Sequence, residues 1–161
     1  MYHTVILSSD DKGLKIAEEF VERYVESCHV EYNSAIITTA VMEAVKNAVQ
    51  HGNGCISERS VELSIEINAE GFRFLVKDQG DGFNREDIHI DSQYLQSHRG
   101  LYLMESLSDG IVFSDGGSRV TLSFSMPGIH PVEAIKRSDI LSHFFSTRVN
   151  SSSYTVHDLT N

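Results

Sequence analysis

Between residues 34 and 52 apolar residues recur as adjacent pairs, Ile36/Ile37, Ala40/Val41, Ala44/Val45 and Ala48/Val49, each pair four positions beyond the last. That spacing predicts one helix with a single buried stripe, beginning near Ser34 and stopping at Gly52, with Gly54 following as a glycine stop. A second ladder at the same spacing, Thr39, Glu43, Asn47 and His51, shares another face of that helix. Its neighbours are offset by about 40° of rotation. A carboxylate one turn before an amide can act on a water while the amide oxygen holds a hard cation. By itself the ladder reads first as an ordinary solvated face.

The remaining pattern predicts the other elements in order. Val5-Ile6-Leu7 lies in a short β-prone opening segment, and Ser8-Ser9-Asp10-Asp11 offers helix caps. Leu14, Ile16, Ala17, Phe20, Val21, Tyr24 and Val25 then repeat at helical spacing, which carries a helix to about Glu26. Val61, Leu63, Ile65 and Ile67 alternate with polar residues, as do Phe72, Phe74 and Val76 beyond Ala69-Glu70-Gly71, and the two runs form a β-hairpin. Residues 84–97 are polar and poorly periodic and read as a loop. Leu101, Leu103, Met104 and Leu107 predict a short helix from Gly100. Two last strands, Ile111/Phe113 and Val120/Leu122/Phe124, flank a Ser114-Asp115-Gly116-Gly117 turn. Met126-Pro127 marks a boundary, so residues 1–126 form the main domain. Residues 127–161 form a C-terminal extension with an amphipathic helix from Val132 to Phe145 and a frayed tail. Strand, two helices, hairpin, loop, helix and hairpin imply an α+β chain with helices layered on one face of a mixed sheet.

Composition narrows the class. A chain of 161 residues, 40% of them hydrophobic, suits one core and argues against global disorder. The net charge of -10 argues against sequence-independent nucleic-acid binding, which needs clustered Lys and Arg. Cys28 and Cys55 lack metal-ligand spacing and form no disulfide framework, so isolated thiols in a reduced, cytoplasmic protein are expected. No run approaches membrane-spanning length and the N-terminus does not resemble a signal peptide.

Three further segments carry candidate chemistry. Asp78-Gln79-Gly80-Asp81-Gly82 ends a strand and opens a loop. A carboxylate there can accept a hydrogen bond from the exocyclic amine of adenine, and neighbouring glycines admit a flat ring, while guanine would present a carbonyl and be repelled. The segment also reads as a plain acidic turn. His98-Arg99-Gly100-Leu101 leads into a helix whose free N–H groups favour an anion. Gly116-Gly117-Ser118-Arg119-Val120-Thr121 is a hairpin turn that can also support a nucleotide. The chain has no Gly-x-x-x-x-Gly-Lys-Ser/Thr loop, no Gly-x-Gly-x-x-Gly and no histidine pair with zinc-ligand spacing.

Taken in order, Glu43-x-x-x-Asn47, Asp78-x-Gly80-x-Gly82 and Arg99-Gly100-Leu101 resemble the N box and the two glycine boxes of GHKL (Bergerat-fold) ATPases. Within that superfamily, Glu43-Ala44-Val45-x-Asn47-Ala48-Val49-x-His51 and Arg99-Gly100-Leu101-Tyr102-Leu103-Met104 are most like the small anti-sigma factor serine/threonine kinases. The resemblance covers roughly residues 1–126. It departs from the pattern in a compact second glycine box, in a lid whose single Lys or Arg is Arg85, and in Ser118 where the last box often carries Thr.

The resemblance implies a two-layer α/β sandwich with a mainly antiparallel sheet, binding ATP and Mg²⁺. It implies that Asn47 ligates Mg²⁺ and Glu43 is the general base toward a protein serine hydroxyl. Asp78 would select adenine, Gly80 and Gly82 would frame the base and hinge the lid, and Gly100 and Leu101 would meet the phosphates. Arg99 would lie near the γ-phosphate, Ser118 or Thr121 would reach the adenine-side water network, and His51 is a further nucleotide contact. The implied partners are an antagonist of anti-anti-sigma type and a sigma factor, engaged by a homodimer with no direct nucleic acid or membrane. The implied function is phosphorylation of the antagonist and control of transcription by partner switching. Two alternatives remain: a GHKL module that sequesters a partner without kinase activity, and a detached histidine-kinase-like ATPase domain.

Overall fold

Alternation of apolar and polar residues produces five strands: β1 (Tyr2–Ser8), β2 (Ser60–Ile67), β3 (Gly71–Lys77), β4 (Gly110–Ser114) and β5 (Arg119–Ser125). In the computed structural model, which describes residues 1–27, 34–82, 99–125 and 131–152, they form one sheet in the order β1-β2-β3-β5-β4. Every pairing is antiparallel, with no parallel pair among the described strands. Register lines the apolar positions into rows, with Val5 opposite Leu63, then Val76, Val120 and Phe113 across the sheet. The next row runs Ile65, Phe74, Leu122, Ile111. Leu63, Ile65, Phe74 and Leu122 are wholly buried on this face, and the Phe74 ring meets Phe124 edge-on at 6.0 Å.

Three helices cover that face: α1 (Asp11–Ser27), α2 (Ser34–Asn47) and α3 (Arg99–Leu107). The paired stripe of α2 is buried from Ile36 to Val45, and α2 packs between α1 and α3 over β3 and β5. α1 contributes Ala17, Val21 and Val25, and α3 contributes Leu103, Met104 and Leu107. The N-terminus of α1 is capped by Asp10, whose Oδ1 accepts from the Gly13 N–H at 2.9 Å and from Ser8 Oγ at 2.6 Å.

The run through Gly52 is not one continuous α-helix, as its periodicity predicts. The α geometry ends at Asn47, and Ala48–Gly52 form a π-helical turn. The Asn53 N–H donates to the Ala48 carbonyl at 2.8 Å, five residues back, and the Cys55 N–H donates to Val49 at 2.8 Å. The chain reverses at Gly54 and Cys55, both at positive φ. A widened turn of this kind is a local distortion that apolar spacing does not encode.

The chain divides into two units, Met1–Gly128 and Ile129–Asn161. The second contains α4 (Pro131–Ser152), which begins with a proline at its first position and runs past the Val132–Phe145 span expected of it. No helix among the described residues is long and apolar enough to cross a membrane. Residues 28–33, 83–98, 126–130 and 153–161 lie outside the described residues, and with them Cys28, the loop expected over 84–97 with Arg85, the expected Met126-Pro127 boundary and the expected frayed tail.

Candidate nucleotide site

The helical repeat of α2 sets Glu43 and Asn47 one turn apart at its C-terminal end, where the α3 N-terminus approaches. A Cβ placed on Gly100 would lie 3.0 Å from Glu43 Oε2 and 3.3 Å from Asn47 Oδ1. The absence of that Cβ brings the acid, the amide and the first turn of α3 together, and the backbone N–H groups of that turn have no intrahelical acceptor. They and the helix dipole favour an anion. Glu43 has a side chain only 13% exposed, and its Oε1 accepts from Lys46 Nζ at 2.9 Å. The lysine holds one carboxylate oxygen while the other faces Gly100.

A second group forms at the end of β3. Asp78 follows the last β3 residue, and its N–H donates to the Ser118 carbonyl at 3.0 Å. Its Oδ1 accepts from the Gly80 N–H at 2.8 Å. A Cβ on Gly52 would fall on the Asp78 carboxylate, and one on Gly80 would fall on the Gly52 carbonyl. The π turn and the strand exit therefore touch through glycines on both sides. Burial pushes the Asp78 carboxyl above its ordinary 3.8, an effect opposed by the Gly80 N–H and by the Arg59 charge.

That shift has a consequence for stability. Charging Asp78 is harder in the folded chain than in the unfolded one, so its contribution is present at low pH and is lost as pH rises through the raised value. Asp78→Asn, which can keep the Gly80 hydrogen bond, is expected to raise the melting temperature at neutral pH. The gain should vanish below the ordinary carboxylate range. Thermal unfolding of both proteins across pH checks this, and a variant less stable than wild type at neutral pH would contradict it.

The last glycine of this segment, Gly82, has φ +76°, and a Cβ on it would fall on the Gly116 carbonyl in the β4–β5 turn. Ser118 joins the site through its main-chain carbonyl; its hydroxyl donates to Asp115 O at 3.0 Å and closes the turn. Thr121 lies in the middle of β5. It pairs with Leu75 and Val112, and strand alternation puts it on the face opposite Val120 and Leu122, away from the helices and Asp78. His51 lies within the π turn and is exposed. Arg99 and Leu101 are half-buried in the first turn of α3.

Four contributors were not singled out from the sequence. Lys46 occupied an unassigned position between Glu43 and Asn47, although its spacing of three from Glu43 is an ion-pair signal. Gly52 reads as a helix stop, yet it makes room for Asp78. Asn53 and Gln79 are joined by a 2.8 Å bond from the Gln79 N–H to Asn53 Oδ1, which connects segments 26 positions apart and has no sequence signature.

The donors present suit a magnesium nucleotide. No group of three or more His, Cys, Asp or Glu among the described residues could hold a metal alone. Asn47 instead offers one hard oxygen beside Glu43, the protein share expected for Mg²⁺, which keeps waters and phosphate oxygens for its other positions.

Comparison with known proteins gives the family. Residues 8–124 match the family model of the histidine kinase-like ATPase domain. The chain is 32% identical over 100 residues to a serine-protein kinase RsbW of Bacillus velezensis, covering 55% of this chain and 62% of that protein. It is 33% identical over 95 residues to the RsbW of Bacillus licheniformis, covering 52% and 59% respectively. The chain thus matches about three fifths of the length of these curated relatives. The matched span runs from the last residue of β1 into β5 and takes in Glu43 and Asn47, the Asp78 glycine segment and the start of α3, and the chain belongs to the histidine kinase-like ATPase domain family, the GHKL superfamily.

Proposed function

We propose that this protein is an ATP-dependent serine/threonine kinase of the anti-sigma type, which phosphorylates an antagonist protein and controls transcription by partner switching. The single observation that carries the reading is the meeting of Gly100 at the α3 N-terminus with Glu43 Oε2 and Asn47 Oδ1. Anion-binding N–H groups, a carboxylate and a hard oxygen donor converge where a triphosphate and a hydroxyl could react. The similarity to serine-protein kinases supports the same reaction class.

In this reading Asp78 accepts a hydrogen bond from the adenine amine, with Gly80 and Gly82 framing the base. Gly100 and Leu101 donate main-chain N–H groups to phosphate oxygens, and Arg99 adds positive charge beside them. Asn47 holds Mg²⁺ through its side-chain oxygen. Bound Mg²⁺ supplies neutralisation of charge on the phosphate oxygens during transfer. Glu43 takes the proton from the incoming serine hydroxyl, and its contact with Lys46 keeps it oriented toward Gly100. The partners are an antagonist of anti-anti-sigma type and a sigma factor, bound by a homodimer in the cytoplasm. Residues 127–161 act as an extension to the kinase domain.

The same ion pair favours a second reading, because a base neutralised by Lys46 suits a module that binds ATP and sequesters a partner without transfer. Incubation of the full chain with γ-labelled ATP and a co-purified antagonist separates the two. Label on an antagonist serine or threonine is expected; Mg-ATP binding with no labelled antagonist would favour the module.

A further inference from the structure

Asn53 is a wholly buried polar side chain, at 0% exposure, and its amide is engaged at both ends. Oδ1 accepts from the Gln79 N–H at 2.8 Å, while Nδ2 donates to Ser9 Oγ at 2.8 Å and to the Ser60 carbonyl at 3.0 Å. Gln79 completes the circuit: its Oε1 accepts from the Ser60 N–H at 2.8 Å. The network ties the exit of β1, the exit of the π turn, the start of β2 and the exit of β3.

Two of its members adjoin Gly52 and Asp78 in sequence. Asn53 follows Gly52, and Gln79 follows Asp78. The bond between Asn53 and Gln79 therefore fixes the spacing between the two segments whose preceding residues touch, Gly52 against the Asp78 carboxylate. On its other side Asp78 is held by the Ser118 carbonyl. We propose that Asn53, braced by Gln79, is a positioning residue that sets the Asp78 carboxylate for selection of the adenine amine. The inference rests on the reading of Asp78 as the base-selecting group. A carboxylate accepting from an amine works over a narrow range of distance and angle, so displacement of Asp78 weakens that bond without touching the phosphate end. An amide suits the position because it supplies an acceptor to Gln79 and donors to Ser9 and Ser60 together; aspartate has no donor and leucine has neither.

The test uses the full chain with Asn53→Ala and Gln79→Ala, the latter at an exposed side chain. Ser64→Ala serves as a control that removes a 2.8 Å contact with Thr4 on the other face of the sheet. Amide exchange at Gln79 and Gly80 without nucleotide reads the clamp. Calorimetry with Mg-ATP, and with the magnesium complex of a purine riboside triphosphate lacking the exocyclic amine, reads selection. Both site variants are expected to speed exchange at Gln79 and Gly80. Asn53→Ala is expected to shrink the affinity ratio between the two nucleotides by about tenfold and Gln79→Ala by about threefold, chiefly through weaker ATP binding. Ser64→Ala lowers the melting temperature and keeps the ratio. Unchanged exchange, or fast exchange with an unchanged ratio, overturns the positioning role, and so does a ratio that falls equally in Ser64→Ala. If Asn53→Ala does not fold, Gln79→Ala decides by the same criteria. A wild-type protein that fails to distinguish the two nucleotides overturns the reading of Asp78 itself, and the selective role of Asn53 with it, before any variant is made.

Discussion

Glu43→Gln is expected to slow phosphoryl transfer to a protein serine by about 10²–10⁴-fold, the contribution of a positioned general base. The dissociation constant for Mg-ATP should change by less than about threefold, a free-energy difference well under 1 kcal/mol. Glutamine keeps the size of the side chain against Gly100 and removes only the basic oxygen and the charge held by Lys46. Asn47, Asp78 and the α3 N-terminus are untouched by the substitution. Single-turnover transfer beside equilibrium binding separates the two quantities. Transfer at the wild-type rate would show that Glu43 is not the base, and loss of binding would make it part of the nucleotide cradle.

Gly52→Ala should have the opposite profile, with Mg-ATP affinity falling by about 10–100-fold, equivalent to losing one hydrogen bond to a charged group. Gly52 is not among the positive-φ residues, so its backbone accepts alanine without strain. The effect comes from the added methyl, which would occupy the place of the Asp78 carboxylate and push it off its bond with the Gly80 N–H. Calorimetry on the variant, with circular dichroism to verify the fold, measures the loss. Unchanged ATP affinity in a folded Gly52→Ala protein would mean that Asp78 does not touch the base.

These two variants draw on different kinds of sequence legibility. Glu43 and Asn47 stand out because an α-helix repeats every 3.6 residues, and a spacing of four is visible in one dimension. The strands were legible for a similar reason, since Leu63, Phe74 and Leu122 announce a buried face by alternation. The contact of Gly52 with Asp78 was not legible, because it joins segments through an atom that glycine lacks. The π turn was hidden because Ala48 and Val49 continue the apolar pairing even though hydrogen bonding changes after Asn47. Thr121 shows the converse limit: the family resemblance offers it beside Ser118, and only the strand register shows that odd and even positions of β5 look to opposite faces. Asn53 carries no local signal, and its part in the site emerges only from the bonds it makes to Ser9, Ser60 and Gln79.

On the proposed function, Glu43, Asn47, Asp78 and Gly100 build one adenine-selective magnesium-nucleotide site. Titration calorimetry of the wild-type full chain with Mg-ATP and with Mg-GTP tests it most directly. One nucleotide per chain, with ATP bound at least about tenfold more tightly than GTP, is the expected result, a difference of about 1.4 kcal/mol. Equal affinity for the two, or no binding of Mg-ATP, would contradict it.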